Sequence, residues 1–253
     1  MKRILMMVVA VMLLAVSFCF AGLKEAEELY KQKKYVDAEA EYRKVLPELE
    51  GAEKSSAQFH IGHCLQRQNK YDEAIAEYRK VASIPEASPY WISNAQFRIG
   101  SCLEAQKKYN EAIVEYQKVA SIPEANPHHI SDAQFSIGYC LQLQKKYDEA
   151  VMEYRKVASI PEAHPSHISS AQYRMGCCLE MQGKDGQEEF VKGCLVERAE
   201  VYWLKANFDK VKKTMLGKEA YKKLIDDMIF IIPATPENAD FLGYLKSEIE
   251  KMK

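Results

Sequence analysis

Seven cysteines and six histidines are the side chains of this 253-residue sequence best equipped for chemistry, and their spacing argues against most of it. Cys64, Cys102, Cys140 and Cys178 recur at one interval, 38 residues (102 − 64, 140 − 102, 178 − 140), so each fills the same site in a repeated unit. Equivalent sites on stacked helical units stand roughly 8–10 Å or more apart, whereas a disulfide needs Cα atoms within about 7 Å. The four are expected to be reduced, buried small hydrophobes. Cys177 and Cys194 fall outside the interval and are left as a candidate pair. His128, His129, His164 and His167 lie in equivalent inter-repeat segments near Glu124 and Asp132, a residue set that can hold zinc. Tyr90 and Trp91 occupy the matching sites one unit earlier, so these positions are expected to serve helix-start packing or to face solvent. His60 and His63, three apart on one helix, are a weak signal alone. There is no HExxH, no GxSxG, no glycine-rich phosphate loop and no zinc-type cysteine spacing. No catalytic, cofactor-binding or metal-binding residue is assigned, and no cofactor is expected.

The interval itself is the stronger message. Tyr71, Tyr109 and Tyr147 head three nearly identical phrases, and a looser copy is keyed by Tyr35. A period of this size marks a solenoid, in which each unit buries its apolar face only against its neighbours. One unit, residues 88–123, reads as two helices. Ser88-Pro89 is a start signal, a capping side chain before a proline at the first helical position, and Asn126-Pro127 and His164-Pro165 repeat it. Ile92, Ala95, Ile99, Cys102 and Leu103 then follow at three- and four-residue steps, one stripe of a helix A ending near Gln106. Tyr109-Asn110 reads as the turn, with Asn110 (Asp72 and Asp148 in the other copies) as its cap. Helix B carries Ala112, Ile113, Tyr116, Val119 and Ala120 on one face and ends at Ile122-Pro123. Neither helix is long enough to be stable alone, so A and B must pack as an antiparallel hairpin.

These residues resemble the tetratricopeptide repeat. Its pattern of a small residue, an aromatic, an aliphatic and glycine on helix A, then tyrosine, alanine and an aromatic on helix B, is matched by Ala95, Phe97, Ile99, Gly100, Tyr109, Ala112 and Tyr116. The neighbouring copies supply Ala57, Phe59, Ile61, Gly62, Tyr71, Ala74 and Tyr78, and Ala133, Phe135, Ile137, Gly138, Tyr147, Ala150 and Tyr154. The resemblance implies an all-α fold, a right-handed superhelical solenoid of antiparallel helix hairpins with C-terminal capping helices. Two departures stand out. Gln58, Gln96, Gln134 and Gln172 occupy a site the family fills with a large apolar residue. The period exceeds the family's usual 34 residues, and Pro89-Tyr90-Trp91-Ile92 fits an N-terminal extension of helix A. Long repeats behind a signal sequence are similar to those of bacterial periplasmic and cell-envelope members, of the Tol–Pal-associated and BamD-like kinds.

The resemblance also implies where a partner would bind. The family's concave face is built from helix A side chains that do not face helix B. Here that stripe contains Phe59, Phe97, Phe135 and Tyr173, followed one turn on by His63, Ser101 and Tyr139, with Arg67, Arg98, Glu104 and Arg174 alongside. The aromatic ladder is either a packing spine between repeats or a peptide-binding strip. Chaperone-binding members use Lys and Asn at these sites, so that clamp is not expected. Charges on helix B, such as Glu77-Tyr78-Arg79-Lys80, read as a solvated face with local ion pairs.

Lys2 and Arg3, the apolar run Ile4–Val16 and a small residue at Ala21 have the layout of a secretory signal peptide covering residues 1–21. An uncleaved anchor and lipidation at Cys19 are the alternatives, and membrane association is expected only under them. Removing residues 1–21 takes away two basic residues and no acid, so the net charge of −1 becomes −3. The mature chain shows no basic excess of the kind nucleic-acid binders carry. Residues 22–186 are assigned to the repeat array. Residues 187–253 are assigned to a degenerate repeat and capping helices that hide the last apolar face, including Phe190, Val191, Cys194, Leu195 and Tyr202 and the run Met228–Ile232. The whole reads as an exported, non-enzymatic scaffold for protein or peptide partners in the cell envelope. A self-assembling envelope module is the alternative, ahead of a small-ligand protein or enzyme using the C-terminal part.

Overall fold

The computed structural model describes residues 21–186 and 239–251, with single positions 189, 222, 225, 226 and 229 between them. Regular structure among the described residues is helical throughout. Helix α1 covers residues 21–31 and is followed by α2 (Tyr35–Val45), α3 (Gly51–Arg67), α4 (Tyr71–Val81), α5 (Pro89–Ala105) and α6 (Tyr109–Val119). Then come α7 (Pro127–Leu143), α8 (Tyr147–Val157) and α9 (Pro165–Met181), and near the C-terminus a helix spans Ala239–Glu250. The chain divides into two compact units, residues 1–129 and 130–253, the boundary falling inside α7. Among the described residues no helix is long and apolar enough to cross a membrane.

Each A helix ends in the same turn. Lys107 is left-handed (φ 61°), its N–H donates to Glu104 O at 2.8 Å, and Lys108 N–H donates to Leu103 O at 2.9 Å. These paired bonds satisfy carbonyls the helix leaves open. Lys33, Asn69 and Lys145 adopt the same conformation, and so does Gly183 at φ 70°. The stretch Gly183–Gly186, which in sequence interrupts the repeated phrase, therefore keeps the turn: Lys184 N–H still reaches Leu179 O at 2.9 Å. The turn runs directly into helix B, which corrects one expectation. Tyr109 is already the first helical residue, Lys108 precedes it without a side-chain cap, and Asn110 is not a cap. Asp72 and Asp148 instead place negative charge in the first turn, where the helix dipole favours it.

Helix B also stops earlier than Ile122-Pro123. It ends at Val119 because Ile122 N–H bonds to Val119 O in a tighter turn, and Glu124 then takes a left-handed φ of 54°. The A-helix starts agree with the sequence. Ser88 and His164 are extended residues before a proline, although only His164 uses its side chain, accepting from Ser166 N–H at 3.2 Å. Asn126 Oδ1 likewise accepts from His128 N–H at 2.8 Å.

The core of the first unit alternates Ala57, Ile61, Cys64 and Leu65 of α3 with Ala74, Tyr78 and Val81 of α4, then Ala95, Ile99 and Cys102 of α5 with Ala112, Tyr116 and Val119 of α6. In the second unit Ala133, Ile137 and Cys140 pack with Ala150, Tyr154 and Val157, and Ala171, Met175 and Cys178 continue the pattern. Glycine is required where A and B cross: a Cβ at Gly62, Gly100 or Gly138 would lie 2.8, 2.6 or 2.7 Å from the ring of Tyr78, Tyr116 or Tyr154. Gln58, Gln96 and Gln134, at the family's apolar site, form a polar clasp between the helices. Gln58 Nε2 donates to Glu77 Oε2 at 2.7 Å and to Glu77 O at 3.2 Å, and Gln96–Glu115 and Gln134–Glu153 repeat it at 2.7 Å. Glu77 is thus buried (8% exposed) rather than part of a solvated face. It also binds Lys80 at 2.7 Å and Arg43 at 2.9 Å. Burial works to raise the Glu77 carboxyl, but hydrogen bonds from Lys80, Gln58 and Arg43 outweigh it and hold the group below its ordinary value.

Candidate functional site

The N-terminal extension of helix A decides which aromatics stay available. Trp91, in the first turn of α5, lies 4.9 Å from the ring of Phe59 and 5.5 Å from that of His60. Phe59 is left only 3% exposed, so it belongs to the core and not to a binding strip. The next repeat has His129 where Trp91 stood, and His129 turns to Ser93 Oγ (2.8 Å) and the Tyr90 ring (4.9 Å). Phe97 accordingly remains half-buried, 5.4 Å from the Tyr116 ring. In the second unit Phe135 is half-buried, 5.3 Å from the Tyr154 ring, and Tyr173 is also half-buried. Tyr139 carries the Arg174 guanidinium over its ring at 5.0 Å.

Four of the sequence-selected residues converge in the first unit. His63 and Arg67 of α3 and Arg98 and Ser101 of α5 line a cavity of about 390 Å³, completed by Gln66, Asn69, Tyr71 and Ala105. Gln66 and Ala105 lie one helical turn on from His63 and Ser101, so helical spacing alone points to them. Asn69 and Tyr71 arrive only through the left-handed turn at Asn69, which the sequence does not announce. The walls are held in place by a relay: Tyr78 OH donates to Gln66 Oε1 at 2.8 Å, and Gln66 Nε2 donates to Ser101 Oγ at 3.3 Å. Glu104 does not line the cavity; its carboxylate accepts from Tyr116 OH at 2.9 Å.

The lining contains two guanidiniums and no carboxylate. Arg67 stacks over the Tyr35 ring at 5.4 Å and Arg98 over the Phe97 ring at 5.7 Å, which orients both planes. Burial pushes the His63 imidazole down to about 4, and the Arg98, His60 and Arg67 charges add to the shift, so His63 is neutral at pH 7. Its Nδ1 is hydrogen-bonded to Tyr30 OH of α1.

The other candidate chemistry is structural. Cys64, Cys102, Cys140 and Cys178 have no solvent exposure, and Cys64, Cys102 and Cys178 are free thiols. Burial pushes Cys64 and Cys102 up to about 12 and Cys178 up to about 11, the reverse of what a nucleophilic thiol needs. Cys194 lies outside the described residues, as do Phe190, Val191, Leu195 and Tyr202. His129 and His167 each bind a serine on the preceding A helix, Ser93 at 2.8 Å and Ser131 at 3.0 Å, the packing role expected of these positions. Among the described residues no group of three or more potential ligands is arranged to hold a metal.

Models of the tetratricopeptide repeat match residues 55–88, 94–123 and 132–161. No curated protein matches the sequence. Among solved structures, the chain is similar to MamA (TM-score 0.54, 18% identity, covering 79% of this chain and 97% of that one). It is also similar to PilF of Pseudomonas aeruginosa (0.52, 16%, 91% and 99%) and to PlcR of Bacillus thuringiensis (0.50, 15%, 78% and 74%). At these identities the likeness is one of fold. The matched residues, with the repeated hairpins and their glycine crossings, show that the chain carries tetratricopeptide repeats.

Proposed function

We propose that this protein is an interaction scaffold whose first unit receives a peptide segment of a partner protein against α3 and α5. The observation that supports this reading is the cavity of about 390 Å³ between α3 and α5 bounded by His63, Arg67, Arg98 and Ser101, which brings two guanidiniums to one wall. Tetratricopeptide-repeat proteins are as a class interaction modules rather than enzymes. PlcR, which shares the fold, has a structure determined in complex with the peptide PapR7 and DNA. The near-balanced charge of this chain favours the peptide over the nucleic acid as the relevant precedent. Phe97 and Ser101 are the contacts proposed on α5, with Phe135, Tyr139, Tyr173 and Arg174 as the corresponding surface of the second unit. Phe59 and Glu104 are not among them.

Export to the cell envelope belongs to the same proposal, on the strength of Lys2-Arg3, the run Ile4–Val16 and Ala21. N-terminal sequencing of the protein from fractionated cells should begin at Gly22 or within a residue or two; retention of Met1 in a membrane pellet counts against it. The scaffold reading is tested by photocrosslinking from a residue inside the cavity and one outside it. A photoreactive phenylalanine at Ser101 should trap a discrete partner in intact cells, while the same group at the exposed Val114 of α6 should not. Equal trapping from both positions overturns it.

A further inference from the structure

The cavity in the first unit carries an electrostatic imbalance that names the chemistry of its ligand. Arg67 and Arg98 both line it, neither forms an ion pair among the described residues, and no acidic side chain lines the wall between them. Arg98 Nε is buried without a hydrogen-bond partner. An unsatisfied buried donor is costly, and more so on a charged guanidinium than on a neutral group. The charge of Arg98 is felt well beyond the cavity, opposing the upward shifts of Tyr30, Tyr78 and Cys102 and reinforcing the downward shift of His63. Nothing in the architecture demands this. The sites equivalent to Arg98 hold His60, Ser136 and Arg174, and those equivalent to Arg67 hold Ala105, Leu143 and Met181, so the hairpin packs without either arginine.

Resting on the peptide-scaffold reading, we propose that the cavity between α3 and α5 binds the carboxylate of an acidic side chain in the partner peptide, gripped by Arg67 and Arg98. Planar guanidiniums match a carboxylate in paired hydrogen bonds, and their stacking on Tyr35 and Phe97 orients the forks before the ligand arrives. Asn69 and Ser101 add neutral polar groups to the same wall. On the α3 side the His63 wall is backed by Tyr30 of α1.

The experiment is selection of random linear peptides displayed on phage by the full chain, followed by titration of the selected sequences as synthetic peptides. Enrichment of Asp or Glu at one fixed position is expected, with affinity falling at least about tenfold in Arg67→Gln and in Arg98→Gln. Arg98→Lys should retain part of the binding, and circular dichroism melting of every variant excludes unfolding as the cause. Selected peptides without an acidic consensus that are displaced by the cavity-filling Ser101→Trp overturn the carboxylate assignment and leave the scaffold reading standing. Binding that disappears when the peptide C-terminus is amidated moves the ligand from a side chain to a chain end and overturns the proposal as stated. Failure to select any peptide, or selection unaffected by Ser101→Trp, overturns the scaffold reading and the inference with it.

Discussion

Gly100→Ala is a one-methyl test of how the hairpins are built. The added Cβ would lie 2.6 Å from both Cδ1 and Cε1 of Tyr116 and 3.0 Å from Cγ, where ordinary carbon contacts fall near 3.5–4.0 Å. The ring cannot swing clear, because Cγ is anchored only two bonds from the Cα of its own helix. Phe97 packs 5.4 Å from the ring centroid, and the hydroxyl is committed to Glu104. Helices α5 and α6 must therefore spread. Overpacking of this kind costs about 1–3 kcal/mol, offset by about 1 kcal/mol because alanine is the better helix former. With two contacts at 2.6 Å the overpacking falls in the upper part of that range, about 2–3 kcal/mol. The net expectation is therefore a loss of about 1–2 kcal/mol, or roughly 2–8 °C in melting temperature for a chain of this size. Gly243→Ala supplies the control: nothing lies within 4 Å of a Cβ there, in the helix Ala239–Glu250, so the propensity gain stands alone and the protein should become slightly more stable. Urea denaturation followed by circular dichroism measures both. A Gly100→Ala protein as stable as wild type would refute the close-crossing argument, and with it the reason for the glycines at 62 and 138.

Three further outcomes follow from the geometry. Lys107 holds a left-handed φ that a side chain strains by roughly 1 kcal/mol, so Lys107→Gly, which copies the Gly183 turn, should raise the urea midpoint; a lower midpoint would show that backbone entropy dominates. Native protein should resist alkylation at Cys64, Cys102 and Cys178 and label fully in guanidinium, with mass spectrometry reading each site; rapid native labelling there contradicts the buried packing. His60, His63 and His129 are each held down to about 4 by burial, against an ordinary 6.5. Their folded pKa values are depressed, so the unfolded chain takes up the extra protons. Their contribution is complete above pH 6.5 and lost as pH falls toward 4. Melting temperature should drop across that window, and a flat profile would show that these imidazoles are solvated.

Much of the fold is legible because a repeat states its rules several times. The tyrosines at 71, 109 and 147 and the glycines at 62, 100 and 138 report one crossing, and three proline-led starts report one helix boundary. The misread features share a cause. Asn110 has the composition of a cap, yet the left-handed Lys107 has already closed the turn. Glu77 has the composition of a surface charge, yet Gln58 draws it inside. In both, a local propensity yields to a hydrogen bond made by a residue elsewhere in the hairpin.

The sequence by itself determined the all-α class, the hairpin, its period and the burial of the periodic cysteines, since these depend on apolar spacing and on equivalence between copies. Only the tertiary structure decided which aromatic is core and which is half-open. Phe59 and Phe97 are equivalent in sequence, but the residue that covers Phe59 is Trp91, 32 positions later (91 − 59), and its counterpart His129 turns to Ser93. Likewise the sequence sets Arg67 and Arg98 alongside the concave stripe but does not pair them. They become a site because α3 and α5 bring them to one cavity that holds no counter-charge, a property of neighbours in space that no spacing along the chain encodes.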